Sequence, residues 1–306
     1  MEPLNRYALG QKLTQLASAD PLTLIQEGAR LDQSGARRVA ITGAPGAGKS
    51  SLLAQLVGLR SQTGNRLGIL AIDPSSPKNG GAILGDRIRM DDLEDSDNIY
   101  VRSLGSRTAG DGLADNLYEM MNTMDEHHFD EVFVETVGVG QVGYGARELV
   151  DTVVLVLIPE SGDMVQAMKS GISETADIIV VNKADLPGAQ KMLNDINHIE
   201  SVDPRSGDDN SWVTPVMLVS NKSPDYVAEL SRSIDAHQAF IAGQQTGRAR
   251  RVARARYRLQ QVVDQQLAKL ISQTADDFFA APLNHQVSAI LAQLNDFQGE
   301  QSRRSS

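Results

Sequence analysis

An α/β fold around a mostly parallel sheet is what this chain of 306 residues predicts, and three features carry the prediction. Short apolar runs alternate with stretches of helical spacing, several of the runs are apolar almost throughout, and a Gly-rich loop separates the first run from a helix. The runs occupy residues 38–42, 67–72, 99–102, 132–135, 153–158, 178–181 and 216–219. A strand with one wet face alternates polar and apolar side chains. Runs without that alternation read as strands covered on both faces, the signature of a parallel sheet between helices.

The flanks read differently. Residues 1–36 form a helical extension, with apolar positions at Leu13, Leu16, Leu22, Ile25 and Leu31 and a break at Ala19-Asp20-Pro21. The α/β domain covers residues 37–240. Beyond it, residues 243–247 (Gly-Gln-Gln-Thr-Gly) read as a hinge, and residues 241–300 as a helical arm with no strand signal. Val252, Leu259, Val263, Leu267 and Leu270 recur there at helical spacing, which predicts a long amphipathic helix. Six arginines between Arg248 and Arg258 read as a solvated helix face, with an acidic partner as the alternative. The tail, residues 301–306, reads as disordered.

Net charge is 29 − 39 = −10, which argues against a general affinity for nucleic acid or anionic membrane. The absence of cysteine excludes disulfides, thiolate metal sites and cysteine nucleophiles, and fits a reducing compartment. No apolar run is long enough for a membrane span, and the first residues lack the layout of a signal or transit peptide, so a cytoplasmic location is expected.

Residues 43–50, Gly-Ala-Pro-Gly-Ala-Gly-Lys-Ser, fill the pattern GxxxxGK[ST] completely, with a strand entering and a helix leaving. Glycines let backbone N–H groups turn inward around a phosphate, and the helix N-terminus adds partial positive charge. The expected phosphate contacts are Gly43, Ala44, Pro45, Gly46, Ala47, Gly48, Lys49, Ser50 and Ser51. Lys49 should reach the β- and γ-phosphates of a nucleotide, and the Ser50 hydroxyl should bind Mg²⁺.

Asn182-Lys183-Ala184-Asp185 stands at the end of a buried run and reads as a guanine-binding loop. Asp185 can accept hydrogen bonds from guanine N1–H and the N2 amine, a pattern adenine lacks, and an unpaired carboxylate would be costly. Asn182 would hold the loop and contact N7, while the Lys183 stem lies over the base. A third base-side loop is expected at Ser220, Asn221 and Lys222, where a backbone N–H would meet guanine O6.

Between these loops lie carboxylates suited to a metal. Glu135 ends an apolar run three residues before Gly138, where P-loop GTPases place an Asp of the form DxxG. Glu135 would serve the Mg²⁺ shell and Gly138 N–H the γ-phosphate. Asp73 and Asp86 complete the expected set, some of them acting through water because Mg²⁺ takes few direct carboxylates. For hydrolysis, Gln141 is the nearest candidate to place water, and Arg87 or Arg89 could supply positive charge.

Together these motifs resemble one family, the methylmalonyl-CoA mutase-associated GTPases (the MeaB/ArgK family). The resemblance rests on GAPGAGKSSL at 43–52, IDPSSP followed by GGAILGDRIRM over 72–90, VETVGVGQ at 134–141, VNKADLPGA at 181–189, DTVVLVLIP at 151–159, and the Arg-rich start of the last long helix. It implies a cytosolic Mg²⁺-dependent GTPase with a Ras-like P-loop NTPase domain, a helical N-terminal extension and a C-terminal arm through which two copies dimerise. It further implies a chaperone of an adenosylcobalamin-dependent acyl-CoA mutase, gating cofactor loading and protecting the mutase, with slow intrinsic turnover. Two departures stand out: Val142-Gly143-Tyr144-Gly145 where the family has Ser-Glu, and Asp111-Gly112 where it has Gly-Gly. They leave the nucleotide chemistry alone and bear on which mutase is the client. A nickel-type metallochaperone GTPase is disfavoured by zero cysteines and five histidines. A small-molecule kinase is disfavoured by the guanine loop.

Overall fold

A computed structural model describes residues 3–19, 35–74, 96–106, 113–114, 116–136, 141–159, 176–202, 211–220, 224–243 and 247–302. The chain divides into residues 1–254 and 255–306.

Among the described residues the first unit is built on seven strands: β1 (Arg37–Gly43), β2 (Leu67–Pro74), β3 (Ile99–Ser106), β4 (Glu131–Glu135), β5 (Thr152–Leu157), β6 (Ile178–Val181) and β7 (Val216–Leu218). Each expected run is a strand. Their order is β3-β2-β4-β1-β5-β6-β7, and every neighbouring pair is parallel. The expected mostly parallel sheet is therefore wholly parallel among the described residues. All six residues of β5 are buried, because alternate side chains serve opposite faces. Val154 and Val156 join one core with Leu52, Leu53 and Leu56 of α2 (Lys49–Ser61), while Leu155 and Leu157 join another with Met192 and Ile196 of α5 (Ala189–Val202).

Helix α1 (Arg6–Ser18) starts where the Asn5 side chain accepts from Ala8 N and buries Leu9, Leu13 and Leu16. Its last carbonyls, which a helix leaves unpaired, are met from outside: Asn116 Nδ2 donates to Leu16 O at 2.8 Å and Ala19 O at 3.0 Å. Asn116 itself takes φ +58° just before α3 (Leu117–Glu126). The rest of the predicted N-terminal helical stretch, with Leu22, Ile25 and Leu31, lies outside the described residues.

Opposite the loop end of β1, four elements meet on one buried carboxylate. Glu131, fully buried at the start of β4, takes two nitrogens of Arg60 from α2 and one of Arg37 from β1. Arg60 also reaches Asp235 at 2.6 Å on α6 (Pro224–Gly243). Burial alone would favour loss of the Arg60 proton, but Glu131 and Asp235 hold it more firmly than usual.

Helix α4 (Gln141–Leu149) follows β4, and α7 (Gly247–Gln273) follows α6. In the second unit, α7 continues into a 3₁₀ turn (Asp276–Ala280) and α8 (Leu283–Ser302). Helix α8 runs two residues into the tail expected to lack structure. The expected helix over Val252 to Leu270 is present, but its buried face differs. Leu259 and Val263 are exposed, while Arg258, Val262 and Gln266, spaced four apart, are buried. Spacing identified the helix correctly, but the apolar stripe is wider than the chain covers by itself.

Candidate nucleotide site

Parallel strands bring all their C-terminal ends to one edge, and β1 lies there between β4 and β5, where the strand order reverses. Ligands of open α/β sheets bind at such a point.

The loop after β1 depends on two glycines. Gly43 has φ +150°, and a Cβ there would stand 2.1 Å from Val156 O of β5. Gly48 has φ +85°, and its Cβ would stand 2.5 Å from Asn182 Nδ2. Only glycine accepts that conformation at so close an approach. No side chain caps α2 at Gly48, so the leading N–H groups and the positive helix end face the loop. Lys49 Nζ turns back over it, donating to Gly43 O at 2.9 Å and Ala44 O at 3.2 Å.

Ser50 Oγ donates to Glu135 Oε1 at 2.7 Å. Glu135 ends β4 and is in register with Ile41 of β1 and Ala71 of β2; Asp73 lies two residues further along β2. Ser50, Asp73 and Glu135 are all buried. A hydroxyl already bonded to a carboxylate, with a second carboxylate on the next strand, forms a set of hard oxygen donors. Such a set fits Mg²⁺. Asp86, Gly138, Arg87 and Arg89 lie outside the described residues; Gln141 is the first residue of α4.

The base-side loop is joined to the phosphate loop by one side chain. Asn182 Nδ2 donates to Ala47 O at 2.8 Å, with Asn182 almost fully buried. Asn182 N is held by Leu157 O and Ala184 N by Val219 O, and Lys183 bridges them at φ +54°. Ser220 Oγ donates to Asp185 Oδ1 at 3.2 Å. The sequence pointed to a backbone role for Ser220; its hydroxyl bond to Asp185 had no signal, because it joins residues 35 positions apart. Asn221 and Lys222 lie outside the described residues. Thr136 was also missed. Its N–H binds Ile41 O at 3.1 Å, and its buried Oγ1 has no partner among the described residues.

The Gly43–Ser50 loop, a carboxylate on the neighbouring strand and the Asn182–Asp185 loop thus share one sheet edge, the arrangement of a P-loop GTPase, and the chain is one. It belongs to a particular family of that class: the model described as Methylmalonyl Co-A mutase-associated GTPase MeaB matches residues 17–276. A Pyrococcus abyssi protein named as a GTPase is 39% identical over 218 residues, covering 71% of this chain and 67% of that protein. The mouse methylmalonic aciduria type A homolog, mitochondrial, is 34% identical over 214 residues, covering 68% of this chain and 51% of that protein. The chain thus spans between about half and two thirds of these relatives' lengths. The crystal structure of an LAO/AO transport system kinase superposes with a TM-score of 0.62 at 22% identity, over 97% of this chain and 100% of that chain, a likeness of fold alone.

Proposed function

We propose that this GTPase is the chaperone of an adenosylcobalamin-dependent acyl-CoA mutase, coupling GTP binding and hydrolysis to cofactor loading and to protection of the mutase. The observation that carries the reading is the match to a mutase-associated family across residues 17–276, a span that contains every described nucleotide-site residue. The name of the mouse relative points the same way.

At the site, the Gly43–Ser50 backbone and the Ser51 amide cradle the phosphates, and Lys49 leaves its two carbonyls for the β- and γ-phosphates. Ser50, Asp73 and Glu135, with Asp86, would hold Mg²⁺, which would supply positive charge for phosphoryl transfer. Asp185, oriented by Ser220, reads the guanine edge, and Asn182 keeps base and phosphate loops in one frame. Gln141 aligns the attacking water. Hydrolysis is slow until a partner completes this set.

Two copies pair through the C-terminal helices. In support, Leu259, Val263, Leu283, Val287 and Leu291 are exposed within residues 255–306, and the last three repeat every fourth residue. No described helix is long and apolar enough to cross a membrane, and the reading places the protein in the cytoplasm. The departure at residues 142–145 falls within α4, while Asp111-Gly112 lies outside the described residues.

The test is affinity capture from native extract with the protein loaded with a slowly hydrolysed GTP analogue. An acyl-CoA mutase should be recovered with the analogue and not with the Lys49→Ala protein. Recovery of a hydrogenase or urease subunit instead would replace this reading with a nickel-delivery one.

A further inference from the structure

Charged residues that the nucleotide site does not use gather at the opposite edge of the sheet, around Asp177. This carboxylate directly precedes β6 and is buried. Its Oδ2 accepts Val153 N at 2.8 Å, and its Oδ1 stands 3.2 Å from His237 Nε2 on α6. The other ring nitrogen of His237 is 2.9 Å from Thr152 Oγ1. Arg147, in the last turn of α4, pairs closely with Asp177 Oδ2. Burial pushes the Asp177 carboxyl toward its protonated form, but His237 and Arg147 outweigh burial and keep it ionised. The chain's single tryptophan closes the corner: Trp212 Nε1 donates to Asp177 O at 2.8 Å, and its ring meets His237 edge-on at 4.8 Å.

Helix α4 connects this corner to the catalytic edge. It has nine residues, about 13 Å at the usual rise, and behaves as a short rod. One end begins at Gln141, the residue proposed above to align the attacking water. The other is held by Arg147 against a carboxylate fixed to β5 and α6. Ala146, Leu149 and Val150 are buried at that end, but apolar packing is non-directional. The ion pair adds a directional contact to that packing.

We propose that Arg147 is a positioning residue for GTP hydrolysis: its pair with Asp177 fixes α4, whose first residue is Gln141, and this rests on the role proposed above for Gln141. Neither side chain belongs to the nucleotide site, so the pair governs the rate and not the affinity.

The experiment measures single-turnover GTP hydrolysis, the GDP dissociation constant and the thermal midpoint for Arg147→Met, Arg147→Lys and the double variant Arg147→Met/Asp177→Asn. Trp212 fluorescence reports whether the corner is intact. The expected result for Arg147→Met is a rate lower by about 10- to 100-fold, the range a small misplacement of reacting groups produces. The GDP constant should stay within about twofold, since only a step beyond ground-state binding is affected. Arg147→Lys should recover most of the rate with wild-type Trp212 emission. The double variant, relieved of its buried charge, should regain thermal stability while hydrolysis stays slow. The proposal is overturned if Arg147→Met hydrolyses GTP at the wild-type rate. It is equally overturned if rate and stability return together in the double variant, which would leave the pair a structural role only.

Discussion

Asp185 offers the most direct test of base recognition. In the structure Ser220 Oγ donates to Asp185 Oδ1 at 3.2 Å, which gives the two carboxylate oxygens different surroundings. Replacing Asp185 by Asn keeps the shape and converts one oxygen into an amine. Ser220 decides which, because its donated proton needs an acceptor: the amide oxygen takes the Oδ1 place and the NH₂ takes the Oδ2 place. Guanine then meets a donor where its own N–H requires an acceptor. The loss combines one charge-assisted hydrogen bond with one unsatisfied donor. Asp185 is exposed before the ligand arrives, so the low end applies, about 2–4 kcal/mol. That corresponds to roughly 30- to 1,000-fold weaker GDP binding. Xanthine carries a carbonyl where guanine carries the N2 amine, so xanthosine diphosphate should gain what GDP loses. Competition titrations against a fluorescent GDP analogue measure both constants. If Asp185→Asn binds GDP within threefold of wild type, or gains nothing for the xanthine nucleotide, the assignment of the base loop is wrong.

Asn182→Ala removes the 2.8 Å bond to Ala47 O and leaves a buried carbonyl unmet; GDP affinity should fall by about 1–3 kcal/mol, read by calorimetry. Glu131→Ala leaves Arg60 with Asp235 and Ser231 as its remaining partners and half-exposed Arg37 with Asp235, so it should cost about 3 kcal/mol in a chemical denaturation curve, the low end for breaking a buried pair. Glu131→Met/Arg60→Met should recover much of that loss, because both buried charges then leave together. Asp177 is held below its ordinary value of 3.8 by His237 and Arg147 despite burial. A depressed carboxyl stabilises the fold at pH above the unfolded value, and this contribution disappears as pH falls through the lower folded one. The stability gap between wild type and Asp177→Asn should therefore be flat near neutrality and shrink below about pH 3.8 in thermal melts. A gap that grows on acidification would refute the assignment.

How legible this was in the sequence depended on the range of the interaction. Strand positions were readable because burial on both faces stamps each run with a local apolar pattern, as in residues 153–158. The Gly43–Ser50 and Asn182–Asp185 loops stood out because each carries its pattern at fixed short spacing, and the structure joins them through Asn182 and Ala47. The insertion of β4 between β2 and β1 left no local mark, since parallel neighbours are joined through distant crossovers. The bonds from Ser220 to Asp185 and from Arg147 to Asp177 span 35 and 30 positions, and each residue alone reads as ordinary. Along α7 the spacing announced a helix but could not say that Val262, not Leu259, would be covered.

The strand order also has a consequence in time. Strand β1 ends in the phosphate loop, yet its two neighbours in the sheet are β4 and β5, which begin at Glu131 and Thr152. A ribosome releasing this chain therefore exposes the loop sequence long before the strands that brace it, and Val156, which packs against Gly43, arrives later still. Nothing short of about the first half of the polypeptide can brace that loop on both sides. Non-local parallel pairing folds slowly, so the newborn protein passes through a stage in which its most apolar strands lack partners. Ligand binding stabilises only the folded state, so cellular GDP or GTP can act on this chain only after that stage is over.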